Sequence, residues 1–283
     1  MEHISWTKKA RVFIRNNGRL VIGAVLILLV VFTAICAPLL AHNDPNATDT
    51  YNKNQRPSQE YLLGTDYLGR DIWSRLVYGS RASLIIAVAA QTLTLAAGLV
   101  LGLICGFYPK ADMVIMRVLE AMSSLPTILT VFVIGSVLGE GYGNLILAMV
   151  IGGVSGTTRY SRAQIMSLRQ KEFVEREVAM GASMPRIMFL HVLPQCSSYI
   201  LVSFGEGLAG KVMSLATLSF LGVGLPSSVP NWGAELSMAQ GSFMIYPMNV
   251  VYPMIAIAIT TFGFSMLGDG LRDFMDPKTQ RRG

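Results

Sequence analysis

Charge is scarce in this 283-residue chain. Asp, Glu, Lys and Arg together make up 14% of it, where an ordinary soluble domain carries roughly 25%. So few charges cannot clothe a globule in water, and the 52% apolar content points instead to lipid as the solvent. Cysteine is scarce too. Cys36, Cys105 and Cys196 sit in or beside apolar runs, which excludes a disulfide framework and any metal-ligand spacing. His3, His42 and His191 are scattered, so no metal cluster is expected. The net charge of +6 raises the question of nucleic acid. The Lys and Arg residues are dispersed between apolar runs, however, and basicity of that kind reads as membrane topology, with no nucleic-acid partner.

What the chain does have is long uncharged runs, and a bilayer crossing needs about 20 predominantly apolar residues. Hydropathy predicts six transmembrane helices: Leu20–Leu40, Leu84–Phe107, Val118–Leu138, Gly141–Thr158, Tyr199–Leu225 and Val250–Leu271. Helices follow because backbone groups in hydrocarbon must be satisfied within their own segment. The first run is too long for a cleaved signal core and no small-residue cleavage site follows it, so it reads as a retained span. The expected fold class is therefore all-α, a polytopic membrane protein. Its parts are a tail over 1–19, a first helix over 20–40, a loop over 41–81, a five-helix core over 82–271 that includes a polar segment at 170–194, and a tail over 272–283. Basic residues alternate between loops. Lys8, Lys9, Arg11, Arg15 and Arg19 precede the first span, Lys110 and Arg117 follow the second, six Lys or Arg follow the fourth, and Arg272, Lys278, Arg281 and Arg282 follow the last. The stretches 139–143 and 226–249 carry none, and 41–81 balances five basic with five acidic residues. The positive-inside rule then puts both termini in the cytoplasm.

Small residues recur every fourth position at Gly98, Gly102 and Gly106, and again at Gly152 and Gly156, a spacing that lets helix backbones approach closely. Pro126 should kink the third span, with Ser123 and Ser124 able to satisfy the carbonyls it frees. The run from Gly205 to Val212 matches G-x-G-x-x-G and nearly matches a phosphate loop, but Val212 stands where Ser or Thr would hold magnesium and the run lies inside an apolar helix. No nucleotide site is expected in this chain. Glu206 and Lys211, in the same run, are costly in a bilayer, at roughly 2.5–3.5 kcal/mol each near its centre. They stand about 140° apart on the helix, so they are poor partners for each other and are candidates to line a solute route.

The polar segment is the most structured in pattern. Phe173, Val174 and Val178 form an apolar stripe and Glu172 with Arg176 an i,i+4 pair. Gly181 suits a left-handed helix end. Ser183 can cap a second helix with Pro185 in its first turn, and Pro194 is a stop signal. A short helix, a bend and a second short helix make an elbow suited to docking. The run Glu175-Arg176-Glu177-Val178-Ala179-Met180-Gly181, ending in Leu193-Pro194, resembles the "EAA" cytoplasmic loop of bacterial ABC import permeases. Arg176 and Glu177 replace its two alanines, and His191 replaces its isoleucine. Gly181-Ala182-Ser183 with His191-Val192-Leu193-Pro194 resembles the dipeptide, oligopeptide and nickel branch. So do Ala37-Pro38-Leu39-Leu40-Ala41, Leu63-Gly64-Thr65-Asp66, Leu68-Gly69-Arg70-Asp71, Ser219-Phe220-Leu221-Gly222-Val223-Gly224, Pro230-Asn231-Trp232-Gly233 and Leu267-Gly268-Asp269-Gly270-Leu271-Arg272-Asp273. Read locally, Gly-Thr-Asp and Leu-Gly-Arg-Asp are turn formers whose Asp or Thr can cap the next helix, and Trp232 is a candidate interfacial anchor.

The resemblance implies a type I importer permease, the second of a homologous pair, in a bacterial cytoplasmic membrane. Its implied partners are a second permease, two cytoplasmic ATPase subunits, an extracytoplasmic solute-binding protein and membrane lipid. The ATPase subunits would hold ATP and magnesium, and this chain would hold no cofactor and be no enzyme. Glu175, Ala179, Gly181, Ala182, Ser183, His191 and Pro194 would form the ATPase-coupling loop. The expected solute is a peptide or related small molecule, with nickel or a metallophore as the alternative. An ion-coupled secondary transporter would need midplane relays or broken helices in matching halves, and a membrane-embedded enzyme a nucleophile–base pair or H-E-x-x-H. Beyond Glu206 and Lys211 the sequence offers neither.

Overall fold

The computed structural model describes residues 17–275; the basic residues Lys8 to Arg15 and Lys278 to Arg282 lie outside them. The described residues are helical apart from turns and one isolated bridge, Thr65 with Asp71. The helices are α1 Gly18–Ile35, α2 Ala37–Leu40, α3 Ile72–Phe107, α4 Pro109–Met122, α5 Thr127–Leu138, α6 Tyr142–Arg169, α7 Glu172–Ala179, α8 Met184–Arg186, a π-turn Ile187–Val192, α9 Leu193–Gln195, α10 Ser197–Phe220, α11 Trp232–Gln240 and α12 Met248–Met275. They form two compact units, one made of residues up to Val88 and from Gly205 onward, the other of Ala89–Phe204. Helices α3 and α10 run from one unit into the other.

Four helices, α1, α3, α10 and α12, are long and apolar enough to cross a membrane. A fifth crossing exists if α4 and α5 count as one broken span. Among the described residues, length and composition thus support four or five crossings and not the full six expected. Helix α6 is the one that falls short, because Gly152, Gly153, Ser155, Gly156, Thr157 and Thr158 dilute its apolar half and arginines occupy the rest. Helix α3 begins at Ile72 rather than Leu84, since Asp71 supplies the cap: its carboxylate accepts the Trp73 and Ser74 amides at 3.3 and 3.2 Å. This start shortens the preceding loop from the expected 41–81 to 41–71.

In the first unit, α1 lies along α12. A Cβ on Gly23 would stand 2.5 Å from the Leu267 amide nitrogen, and one on Gly270 would stand 2.5 Å from Leu20 Cα. Lipid offers no hydrophobic drive for helix association, so such close backbone approach is what holds the pair. Arg19 and Asp273 add an exposed ion pair at 3.2 Å. At the other end of α1, Arg81 donates to the Ala34 and Ile35 carbonyls, which satisfies acceptors that a helix C-terminus leaves open.

The loop over 41–71 folds by Asx chemistry: Asp44, Asp49 and Asp66 each accept the backbone amide two residues on, at 2.8 to 2.9 Å. Gly69, at φ +80°, has the Asp49 carbonyl where a Cβ would stand, so only glycine fits. Arg75 then gathers the unit. Its guanidinium donates to Glu235 at 2.9 Å, to Pro45 O at 2.9 Å, to Asn46 Oδ1 at 3.2 Å and to Ser227 O at 3.3 Å, with 0% of its side chain exposed. Burial pushes the Glu235 carboxyl above the usual carboxylate range, against the pull of Arg75. Trp232 is buried in this cluster and donates to Leu76 O at 3.0 Å, so the interfacial-anchor reading is wrong. Asn231 caps α11 by accepting the Ala234 amide at 3.0 Å.

In the second unit the glycine ladder does what its spacing predicts. Cβ atoms on Gly98, Gly102 and Gly106 would stand 2.5 to 2.6 Å from Thr157, Ser161 and Ile165, so α3 packs directly on α6. Gly152 faces Val131, but a Cβ on Gly156 would meet nothing within 4 Å among the described residues. Helices α4 and α5 meet at 84° across Ser123–Pro126. Ser123 and Ser124 donate to the Leu119 and Ala121 carbonyls, both at 2.8 Å, as expected at a proline break.

Candidate functional site

The elbow starts where α6 ends. Arg169 fixes that end by donating to Gly106 O at 2.8 Å and lying 5.5 Å over the Phe107 ring. Helix α7 is eight residues long, with Glu172 and Arg176 paired at 2.9 Å on its exposed side. Such a pair stabilises by only about 0.3–0.5 kcal/mol, so packing must hold the helix down. Val174, Ile187, Met188 and Val192 are buried together with Leu103, Phe107, Ile165 and Cys196, and Phe173 and Ala182 pack against them. The apolar stripe therefore divides: Val174 points inward, while Val178 is 47% exposed.

Gly181 makes the bend. Its φ of +78° is left-handed, and nothing lies within 4 Å of the place a Cβ would occupy, so glycine is required by backbone conformation rather than by space. Ser183 sits at the start of α8 with extended backbone but makes no side-chain cap; the expected cap is absent. Pro194 does not stop the chain either. It lies at the start of α9, a single turn that leads through Cys196 into α10, because proline is tolerated in a first turn. Between them the chain adopts a π-turn, Ile187–Val192, a rare geometry frequent at functional positions.

Of the residues expected to couple, Glu175, Ala179, Gly181, Ser183 and Pro194 are exposed, Ala182 rests on the buried root and His191 is half-buried. His191 Nε2 lies 3.5 Å from a Glu177 carboxylate oxygen. Two of the three departures from the loop pattern thus face each other, and neither was legible as a pair because 14 residues and two bends separate them. The outer face carries Met180 at 72%, Leu190 at 63%, Phe189 at 49% and Met184 at 41% exposure. The elbow is thus rooted by one apolar face and presents another.

Glu206 and Lys211 are not brought together. Glu206 pairs with Arg272 at 2.6 Å and keeps 38% of its side chain exposed, which sets it level with the polar last turns of α12. Lys211, five residues further along α10, is buried. The stretch 205–212 is continuous helix, and its amides are therefore not free to cradle phosphate. Gly205 serves packing instead, with its would-be Cβ 3.0 Å from Gly268 Cα.

Arg159 was missed by sequence reasoning. It donates to Leu119 O at 3.3 Å and to Ser123 Oγ at 2.5 Å, while Ser123 Oγ also meets Ser155 Oγ at 3.0 Å. Arg162 grips Asp112 through two bonds of 2.5 and 2.6 Å. Two arginines of α6 therefore hold α4 and the first residue of the break that follows it. Their spacing of three on one helix face was the available signal.

Comparison with known proteins agrees with this architecture. Residues 98–281 match the family described as binding-protein-dependent transport system inner membrane component, and residues 5–57 match the N-terminal transmembrane domain of oligopeptide transport permease C. The oligopeptide transport system permease protein OppC of Bacillus subtilis is 35% identical over 98% of this chain and 92% of its own length. The dipeptide transport system permease protein DppC of Alkalihalophilus pseudofirmus is 37% identical over 94% and 88%. The glutathione transport system permease protein GsiD of Pectobacterium atrosepticum is 34% identical over 96% and 91%. Family membership, four or five membrane-crossing helices and the rooted elbow converge, and the chain belongs to the binding-protein-dependent transport system inner membrane components: it is a permease subunit of such an importer and not itself an enzyme.

Proposed function

We propose that this chain is one of two homologous permeases that together form the path of an ABC importer for peptides or small peptide-like solutes. The relatives named for oligopeptide, dipeptide and glutathione transport support that solute class over nickel or a metallophore. In this reading α6 completes six crossings, both termini lie in the cytoplasm of a bacterial inner membrane, and two ATPase subunits that hold ATP and magnesium dock beneath. The loop 41–71 and the segment 226–240 meet the solute-binding protein or the paired permease.

The observation that carries the reading is the elbow, because it is both anchored and unfinished. Its root of Val174, Ile187, Met188 and Val192 transmits force to α3 and α6, while Met180, Met184, Phe189 and Leu190 await a groove. Glu175, Ala179, Gly181, Ala182, Ser183, His191 and Pro194 shape the contact. Closing of the ATPases on ATP would move the elbow, provided that they hold it differently in the two states, since equal affinity shifts nothing. Glu206 and Lys211 stand at successive depths along α10 as candidate path residues.

Cysteines introduced by Met180→Cys and Leu190→Cys should crosslink to an ATPase subunit in membranes, with a yield that changes on addition of ATP. Crosslinks that never capture an ATPase, or labelling of these positions from outside the cell, would overturn the proposal.

A further inference from the structure

We infer that the turn between α11 and α12 is a membrane anchor that lies in the interface of the bilayer and contacts lipid. Residues Gly241–Pro247 expose Phe243 at 48%, Met244 at 93% and Ile245 at 75%, and Met248 at the start of α12 is 56% exposed. From Leu236 to Gly268 the sequence has no charged residue. A tip so apolar is not a surface built for water.

The register of α12 says what covers it. The polar end of this helix is marked by Asp269, by Arg272 paired to Glu206 and by Asp273 paired to Arg19. Counting back 20 residues from Asp269, at about 1.5 Å per residue, spans the roughly 30 Å of a hydrocarbon core and ends at Asn249. Tilt shortens the projected length and carries the boundary further toward the tip. Met248 thus stands at the edge of the acyl region and Met244 and Ile245 within one turn of it. Tyr246 and Tyr252 bracket the boundary, where aromatic rings with a polar end are favoured.

The backbone is prepared for low polarity. The amides of Ser242, Phe243, Ile245 and Tyr246 are bonded to Ala239, Gln240, Ser242 and Ser242 carbonyls at 2.8 to 3.3 Å. A turn that satisfies most of its own amides strands few of them on entering the interface. With no Lys or Arg in the segment, contact depends on apolar burial and not on anionic headgroups. The inference rests on the membrane register of α12 alone and is independent of which ATPase or solute the importer uses.

The test places the photoreactive residue p-benzoylphenylalanine at position 244, and separately at 245, in the full chain in native membranes. Both side chains are outside the packed core, so folding is undisturbed. Irradiation should shift the mass of the purified chain by that of one phospholipid, with similar yield in vesicles of phosphatidylcholine alone and with phosphatidylglycerol added. Adducts only to the binding protein or to another permease, adducts that require the anionic lipid, or no lipid adduct at either position would overturn it.

Discussion

Arg75 offers the sharpest test of how the first unit is held together. Its guanidinium links four stretches of chain: α3 itself, the loop around Pro45 and Asn46, Ser227 and Glu235 of α11. Truncation by Arg75→Ala removes one partner of a buried pair, which costs about 3–5 kcal/mol. It also strands the Pro45 and Ser227 carbonyls, each worth about 1–3 kcal/mol unless water enters. Taking about 4 kcal/mol as the surviving effect, local opening of the clamp should rise roughly 1,000-fold. The rate of proteolysis within 41–71 reads this directly, since cleavage of a briefly opened segment follows its equilibrium population when reclosing is fast. Glu235→Leu should open the clamp too, because it leaves the guanidinium buried without its counter-ion. The combination of Arg75→Met with Glu235→Leu should be milder than Arg75→Ala alone, since no buried charge remains and only the carbonyls are left unpaired. A double variant as damaging as Arg75→Met and Glu235→Leu summed, or an unchanged cleavage rate in both Arg75→Ala and Glu235→Leu, would refute the reasoning, because residues that interact directly must show coupling.

Three further outcomes are expected. Gly181→Val should reduce solute uptake per ATP hydrolysed while leaving membrane insertion intact, because a Cβ in left-handed backbone costs about 1–2 kcal/mol; Gly181→Asn should be milder, and equal uptake in both would count against the bend. Gly102→Val should destabilise the α3–α6 contact by about 1–3 kcal/mol through overpacking against Ser161 and Arg162, whereas Gly156→Ala should be neutral; heat inactivation in detergent compares them, and equal loss would contradict the geometry. Arg159→Ala should broaden the distance distribution between spin labels at positions 113 and 133, on α4 and α5, because the Leu119 carbonyl and Ser123 hydroxyl lose their shared donor; an unchanged distribution would mean that Ser123 and Pro126 hold the break alone.

Much of this protein was determined by sequence alone, wherever the cause is local or periodic. Uncharged runs place α1, α10 and α12 because lipid demands them over a fixed length. A spacing of four puts Gly98, Gly102 and Gly106 on one face, and Gly181 announces a left-handed bend wherever the chain goes. Proline with two serines announces the break at 123–126. Tertiary structure decided what depends on neighbours far away in the chain. Nothing near Arg75 points to Glu235, nothing near Glu206 points to Arg272, and the same four-residue spacing that packs Gly102 leaves Gly156 facing open space. Trp232 shows the difference most plainly: its composition suits a bilayer interface, yet a carbonyl at Leu76 and the walls of α3 were available to bury it. Periodicity fixes which face a residue shares, but only the assembled fold fixes what that face meets, because the partner is chosen by the path of the whole chain.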